Sequence, residues 1–263
     1  MSRYVFDSSA VQAPERFSAL ETCYDPVSRL RLAQTGVGAG WHCLEVGGGG
    51  GSLGAWLADV VGPTGQVLLT DLVPQAEGPL SERPNLTVAR HDIVNDVLPD
   101  DAFDLVHARL VLLHLPQRRA VLDRLVSALK PGGWLVLEEF DCGWIPVLSA
   151  PDPGAARLFD KVHTHLMRLL TEAGADPLWG RRVYGAMFQA GLTELAATTY
   201  AEAWPGGSPG IHLHRVNTEQ VEDRLLAGGI TFGELGDFWS LLKNPAFAVN
   251  SYPLVTVCGR QPR

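Results

Sequence analysis

Short apolar runs alternate with helix-spaced apolar patterns through the middle of the chain, and this alternation is its strongest structural signal. Near-continuous apolar runs predict buried strands, whereas apolar residues three and four positions apart predict amphipathic helices. The pattern predicts strands over residues 41–46, 67–70, 86–89, 103–110 and 134–137, and helices over 52–61 and 116–129. Apolar strands separated by helices form a parallel sheet that is covered on both faces.

The last third of the chain has a less regular pattern. It predicts helices over residues 155–169, 182–190, 218–226 and 231–242, strands over 193–200 and 252–258, and a loop over 204–210. Thr231 and Glu234 have the spacing of a capping box, which favours a helix start. His212 and His214 stand in a stretch that we expect to be extended, where both side chains would share a face.

A run of five glycines, residues 47–51, joins the first predicted strand to the first predicted helix. Glycine loses more backbone entropy than any other residue, so such a run is tolerated where backbone approaches a ligand or adopts positive φ. Strand, loop and helix together indicate a nucleotide-type cofactor. Gly49, Gly51 and Gly54 satisfy the GxGxxG pattern of a dinucleotide site, and Asp71 follows twenty residues after Gly51.

The same loop fits a second pattern equally well. Glu45, Gly47, Gly49 and Gly51 satisfy acid-x-G-x-G-x-G, the first motif of enzymes that use S-adenosylmethionine. A dinucleotide presents a pyrophosphate, which binds at a helix N-terminus. S-adenosylmethionine instead carries a sulfonium and an ammonium group. An acid inside the strand favours the cationic cofactor, because Glu45 would repel an approaching pyrophosphate.

Further motifs support the second pattern, and over residues 41–141 the chain resembles the class I S-adenosylmethionine-dependent methyltransferases. The matching segments are Leu69-Thr70-Asp71-Leu72, His91-Asp92-Ile93, Phe103-Asp104-Leu105-Val106 through Leu113-His114-Leu115, and Leu129-Lys130-Pro131-Gly132-Gly133. The resemblance implies an α/β, Rossmann-like fold with a mostly parallel seven-stranded sheet, helices on both faces and a mostly helical lid. One departure is the proline- and glycine-rich segment 73–84, where the family has a full helix and we expect a short or missing one.

The resemblance also divides the chain. It implies a single domain over residues 1–263, with a cofactor-binding core at about 30–141 and C-terminal strands at about 193–203 and 251–260. The lid elements are expected at about 1–25, 144–180 and 205–244. Aromatic side chains in these three segments suit an apolar, small-molecule acceptor, but for most of them we expect the alternative, which is packing of the segments onto the core.

The resemblance implies a cofactor site and a role for each of its residues. Asp71 is expected to bind both ribose hydroxyls, and Asp92 to accept a hydrogen bond from the adenine amino group. The residues implied in binding S-adenosylmethionine, with S-adenosylhomocysteine as product, are Glu45, Gly47, Gly49, Gly51, Asp71, Leu72, Asp92, Ile93, Ala108 and Arg109. Three roles stay open for Arg109: a clamp on the cofactor carboxylate, a clamp on a substrate anion, or an ion pair with a neighbouring acid.

Candidate catalytic residues follow from the fold class, because ligands of a parallel sheet bind beyond the carboxyl ends of its strands. Glu139 and Asp141 follow the fifth predicted strand, and His114 lies beyond the fourth. Each is a candidate for the base that a hydroxyl or protonated amine acceptor needs, with a structural role as the alternative. Glu138 and Glu139 alternate sides, so we expect one of them to face the pocket.

Composition and charge limit the classes of partner that we expect for this chain. The 263 residues carry a formal net charge of -8, which argues against a protein whose main partner is nucleic acid or an anionic membrane. No apolar run is long enough for a membrane span or a signal peptide. The four cysteines are scattered without metal-ligand spacing, so we expect reduced thiols in the cytoplasm and no metal.

The sequence therefore predicts a cytoplasmic methyltransferase, with a homodimer as one option for its assembly. The resemblance to bacterial enzymes of this family implies a metabolite or natural product as the acceptor, and we expect methylation on oxygen in preference to nitrogen or carbon. Two alternatives stay open. One is an NAD(P)-dependent oxidoreductase that uses the GxGxxG pattern, and the other is a methyltransferase-like fold that binds the cofactor but catalyses another reaction.

Overall fold

The first half of the chain builds the core of a twisted sheet, as the apolar pattern predicts. The computed structural model describes residues 5–6, 12–74, 80 and 82–263. The helices of this half are α1 (Ala13–Gln34), α2 (Ser52–Val61) and α3 (Arg118–Ser127). Its strands are β1 (His42–Val46), β2 (Gln66–Asp71), β3 (Leu86–Arg90), β4 (Phe103–Arg109) and β5 (Leu129–Phe140). The expectation of a shortened helix over 73–84 lies partly outside the described residues.

The second half adds two strands to the sheet and several helices above it. The helices are α4 (Pro153–Glu172), α5 (Val183–Gln189), α6 (His212–Gln220), α7 (Glu222–Ala227) and α8 (Phe232–Leu241). The strands are β6 (Val147–Ser149), β7 (Thr193–Tyr200), β8 (Ala203–Pro205), β9 (Ala248–Asn250) and β10 (Leu254–Arg260). The predicted capping box is confirmed, since Thr231 and Glu234 exchange side-chain-to-backbone hydrogen bonds at the start of α8.

The main sheet has seven strands in the order β3-β2-β1-β4-β5-β10-β7. Strands β1 to β5 pair in parallel, while β10 runs antiparallel to both β5 and β7. This confirms the Rossmann-like, mostly parallel seven-stranded fold. The strand order reverses between β1 and β4, and such a reversal opens a crevice at the carboxyl ends of the strands.

A second, three-stranded antiparallel sheet with the order β6-β9-β8 was not predicted. Each of its strands has only three residues, which is too short for alternation to be recognised in the sequence. Among the described ranges, no helix combines the length and apolar character needed to cross a membrane.

The prediction of an extended stretch at His212 and His214 was wrong, because both residues lie in α6. Leu213, Val216 and Asn217 are buried in this helix together with His214. The sequence misleads here because two polar residues face the core, which conceals the helical spacing of the apolar ones. The helix predicted over 218–226 is in fact the end of α6 followed by α7.

Candidate active site

The glycine loop between β1 and α2 has a steric reason for its composition. Gly47, Gly49 and Gly51, the glycines of the acid-x-G-x-G-x-G pattern, all have positive φ, at 68°, 53° and 87°. Gly48 has an ordinary φ, but a Cβ there would lie 2.5 Å from two side-chain carbons of buried Leu69. The loop is therefore bare backbone because its conformation and its surroundings both exclude side chains.

Asp71 and Asp92 lie at the carboxyl ends of β2 and β3, and their carboxylates accept hydrogen bonds from the neighbouring loops. One carboxylate oxygen of Asp71 accepts the Gly49 N–H at 3.1 Å, and the other accepts the Val73 N–H at 3.0 Å. Asp92 accepts the Val94 N–H at 2.9 Å and the Asn95 side chain at 2.7 Å. Burial acts to raise the pKa of Asp92, but these hydrogen bonds outweigh it and lower the pKa. The structure thus brings the Asp71 carboxylate to the glycine loop.

Helix α1, which includes most of the first segment expected as a lid, packs on the glycine loop. A Cβ on Gly49 would lie 3.2 Å from the ring of Phe17, and one on Gly50 would lie 2.3 Å from Oε1 of Glu21. Burial and the nearby Asp25 raise the pKa of Glu21. The spacing of Phe17 and Glu21 matches one helical turn, but nothing in that spacing indicates which loop the turn packs against.

Glu45 faces away from solvent into a charged network inside the sheet. Its carboxylate lies 2.6 Å from Nδ1 of His107, and Nε2 of His107 lies 3.3 Å from Oε2 of Glu138. Burial alone would lower the pKa of His107, but Glu45 and Glu138 raise it to about 9. His107 in turn keeps the pKa of Glu138 low despite complete burial. The imidazolium therefore compensates the acid that precedes the glycine loop.

Arg109 continues this network toward α1. Its guanidinium donates to Asp25 at 2.9 Å and to Ser28 at 3.0 Å, and Ser28 donates to Glu138. Of the three roles left open for Arg109, the ion pair with a neighbouring acid is the one these contacts make. Ala108 beside it is fully buried, Ile93 is buried, and Leu72 is exposed. The cofactor roles of these residues stay predictions.

The three candidate catalytic residues occupy different environments. Glu139 is fully buried and accepts the N–H groups of Leu112 and Leu113 at 2.8 and 3.2 Å, and burial raises its pKa to about 8. Asp141 forms a bidentate ion pair with Arg181. Burial, followed by the charges of Arg16 and Arg118, lowers the pKa of His114 to about 3, so its imidazole is neutral at pH 7.

A cavity of about 30 Å³ lies beyond the carboxyl ends of β4 and β5, and His114 is one of its walls. The polar side chains in its lining are Arg16, His114, Asn217 and Tyr252, and the other lining residues are Phe6, Leu20, Leu110, Leu113, Phe140, Cys142, Leu166, Met167 and Leu213. The residues from α1, α4 and α6 lie in the segments predicted as lid elements. Neither Glu138 nor Glu139 lines this cavity.

The charges around the loop suit a cation. Glu21 and Asp71 place two carboxylates at the loop itself. The electrostatic argument for a cationic cofactor therefore rests on these two residues, since the charge of Glu45 is compensated by His107. The bare glycine backbone and the acids at the ends of β2 and β3 fit S-adenosylmethionine.

Comparison with known proteins points to one family. A family model described as a methyltransferase domain matches residues 44–135. The methyltransferase str2 of Strobilurus tenacellus is 33% identical over 142 residues, which cover 52% of this chain and 48% of the relative. The ubiquinone/menaquinone biosynthesis C-methyltransferase UbiE of Laribacter hongkongensis is 31% identical over 163 residues, which cover 56% of this chain and 67% of the relative. The chain spans about half the length of the first curated relatives it matches.

Solved structures share the fold at low sequence identity. The YcgJ protein of Bacillus subtilis superposes with a TM-score of 0.56 at 17% identity, covering 89% of this chain and 97% of that one. Phosphoethanolamine N-methyltransferase 2 of Haemonchus contortus, solved with phosphomonomethylethanolamine and S-adenosylhomocysteine, gives 0.55 at 14% identity and covers 100% of this chain and 60% of that one.

Proposed function

The chain belongs to the class I S-adenosylmethionine-dependent methyltransferases, and on that premise we propose that it binds S-adenosylmethionine on the glycine loop and transfers the methyl group to a small organic acceptor. The acceptor is a metabolite or natural product that reaches the cavity beyond β4 and β5. The reaction is an in-line displacement, and the product is S-adenosylhomocysteine.

One contact carries this proposal: the Asp71 carboxylate accepts the N–H of Gly49 at 3.1 Å. It joins the acid at the end of β2 to the glycine loop at the end of β1, as a site for the ribose and methionine parts of one ligand requires. Asp92 extends the same edge of the sheet toward the adenine. When bound, S-adenosylmethionine supplies an electrophilic methyl group.

The residues of the chain position the acceptor and shield it from water. In-line displacement depends chiefly on holding the acceptor in alignment, which the packed walls of the cavity can do. The mainly apolar lining excludes water. The neutral His114 imidazole at the cavity wall can hydrogen-bond an acceptor hydroxyl and orient it, whereas its pKa of about 3 makes it a weak base at pH 7. Glu139 accepts the N–H groups of Leu112 and Leu113, and Asp141 pairs with Arg181. Neither acid lines the cavity, so neither is assigned as the base.

Oxygen is the acceptor atom we favour, because the His114 imidazole in the cavity wall can hydrogen-bond a hydroxyl and align its oxygen. Carbon is the alternative, since several relatives are named C-methyltransferases. The two are distinguished by transferring a ¹³C-labelled methyl group and reading its chemical shift in the product. A reducing compartment such as the cytoplasm is also proposed, because all four cysteines are unpaired thiols.

Calorimetric titration with S-adenosylhomocysteine and, separately, with NADH tests the cofactor. We expect S-adenosylhomocysteine to bind and NADH not to bind. Tight binding of NADH would instead support the oxidoreductase alternative and refute the proposal. Binding of S-adenosylmethionine without any product across a broad panel of small acceptors would favour a methyltransferase-like fold with another reaction.

A further inference from the structure

Arg16 brings a positive charge into the cavity beyond β4 and β5. The side chain comes from α1, is 93% buried (7% exposed), and lines the cavity together with His114 and Asn217. An arginine cannot be deprotonated in a protein, so its guanidinium is a permanent cation there. The rest of the lining is almost entirely apolar, so this charge dominates the polarity of the cavity.

The described part of the chain does not neutralise this cation. Nε of Arg16 donates to Oδ1 of Asn217 at 3.2 Å, and Cζ of Arg16 lies 4.7 Å from the ring centroid of Phe6. Among the described residues no carboxylate forms an ion pair with Arg16, whereas Arg109 and Arg181 each have one. Buried charges in proteins are normally paired, because removing an unpaired ion from water is costly. Among the residues that the structure describes, only Asn217 accepts from one of the five N–H donors of Arg16, so a ligand can meet the others.

The neighbours of Arg16 orient its guanidinium without neutralising it. The Tyr252 hydroxyl, which also lines the cavity, lies 3.1 Å from Nδ1 of His214. Because burial lowers the pKa of His214 and keeps it neutral, its Nδ1 can accept a hydrogen bond from that hydroxyl. The amide oxygen of Asn217 accepts from Nε of Arg16 at 3.2 Å, and a neutral amide leaves the charge of the guanidinium uncompensated.

The charge belongs to the acceptor side of the site rather than to the cofactor side. The cavity walls come from α1, α4, α6 and the segments after β4 and β5, and they include none of the glycine loop, Asp71 or Asp92. The loop itself is faced by the Glu21 and Asp71 carboxylates. A ligand carboxylate is therefore attracted by Arg16 in the acceptor cavity and repelled by the acids at the loop.

We propose that Arg16 is a specificity-determining residue that binds a carboxylate on the acceptor, so that the substrates are amphipathic organic acids with an apolar body. This inference rests on the proposed function for the identity of the site as an acceptor site. The cavity has room for about one water molecule. Binding of an organic acid therefore requires its walls to separate, and the carboxylate then takes the open donors of Arg16 in charge-assisted hydrogen bonds.

The test compares a carboxylate with its neutral isostere. Binding of benzoate and of benzamide is measured by calorimetry on the full chain, with and without S-adenosylhomocysteine, and the ratio of the two affinities reports the charge. We expect wild type to prefer benzoate by at least about tenfold. R16M should lose the preference, and R16K should keep part of it because the charge is retained. R215M, which changes a half-buried arginine of α6 that already pairs with Glu219, should leave the ratio unchanged.

A second variant keeps the test decisive if R16M fails to fold. N217D places a carboxylate on the Nε of Arg16 and should abolish the benzoate preference while the arginine is retained. Equal binding of benzoate and benzamide to wild type would overturn the proposal, as would a preference that survives both R16M and N217D. A loss of S-adenosylhomocysteine affinity in R16M as large as the loss of benzoate preference would assign the charge to the cofactor. Absence of S-adenosylhomocysteine binding in wild type, with the benzoate preference intact, would refute the proposed function and leave the anion site standing.

Discussion

Replacing His107 by glutamine should destabilise the fold by about 3 kcal/mol near pH 6, because it leaves two buried carboxylates without their cation. His107 is fully buried between Glu45 at 2.6 Å and Glu138 at 3.3 Å. The two acids raise its pKa from an ordinary value of 6.5 to about 9. A rise of about 2.5 pKa units corresponds to about 3 kcal/mol in favour of the charged imidazole.

The pH dependence of this effect has a definite sign. The folded pKa is raised, so the contribution of His107 is complete below the unfolded pKa of 6.5 and is lost as the pH rises through 9. The difference in stability between wild type and H107Q should therefore fall from about 3 kcal/mol near pH 6 to about 1 kcal/mol near pH 8. Urea unfolding at these two pH values measures it.

A double mutant separates charge pairing from loss of packing. If pairing is the cause, E138Q removes one of the carboxylates that H107Q leaves uncompensated. The two changes should then be non-additive by at least about 1 kcal/mol. H212Q, at the half-buried start of α6, serves as the control and should cost less than about 0.5 kcal/mol. A cost of H107Q below about 1 kcal/mol near pH 6, or strict additivity with E138Q, would refute the reasoning.

Three further predictions test other parts of the structure. D71N should weaken S-adenosylhomocysteine binding at least about tenfold in calorimetry, because it removes charge from the hydrogen bonds at the loop. The melting temperature should stay within a few degrees of wild type, and an unchanged affinity would contradict the assignment of Asp71. G48A should destabilise the fold by about 1–3 kcal/mol in urea unfolding through overlap with the core, whereas G236A, inside α8 with open space around it, should stabilise by up to about 1 kcal/mol. Burial lowers the pKa of His163 to about 4 and that of His214 well below its usual value. The unfolded chain therefore takes up protons that the folded chain does not. The free energy of unfolding should fall as the pH drops below 6.5, by up to about 1.4 kcal/mol per histidine and pH unit. Urea unfolding measures it, and a free energy of unfolding that stays constant between pH 7 and pH 5 would contradict the prediction.

The core of the sheet could be predicted because its strands are buried on both faces and read as continuous apolar runs. Helix α2 has the predicted bounds, and β7 matches its prediction residue for residue. The prediction failed where polar residues face the interior. In α6, His214 and Asn217 are buried beside Leu213 and Val216, so the helical period is visible only once the core is known.

The candidate site could be predicted where the backbone conformation requires a particular residue type. It could not be predicted where side chains that are distant in the sequence come into contact. The positive φ angles of Gly47, Gly49 and Gly51 explain why their identities mark the loop in the sequence. Nothing local to Glu45 indicates its partner, because His107 lies 62 positions away and meets it through the β1–β4 register. Arg16 gave no signal at all, since a single arginine in a helix is ordinarily a solvated residue.

Helix α1 explains why the cofactor loop and the acceptor cavity have to be studied together. This one helix places Phe17 and Glu21 on the glycine loop and Arg16, the neighbour of Phe17, in the cavity. Further along, Asp25 and Ser28 bind Arg109 and Glu138 in the charged network of the sheet. When a rigid helix contacts two ligand sites, a displacement of the helix at one site also displaces its residues at the other site. Substitutions in α1 therefore have to be measured against both ligands, and an effect on the acceptor alone, as expected for Arg16, requires that the anchor through Asp25 and Ser28 stays in place.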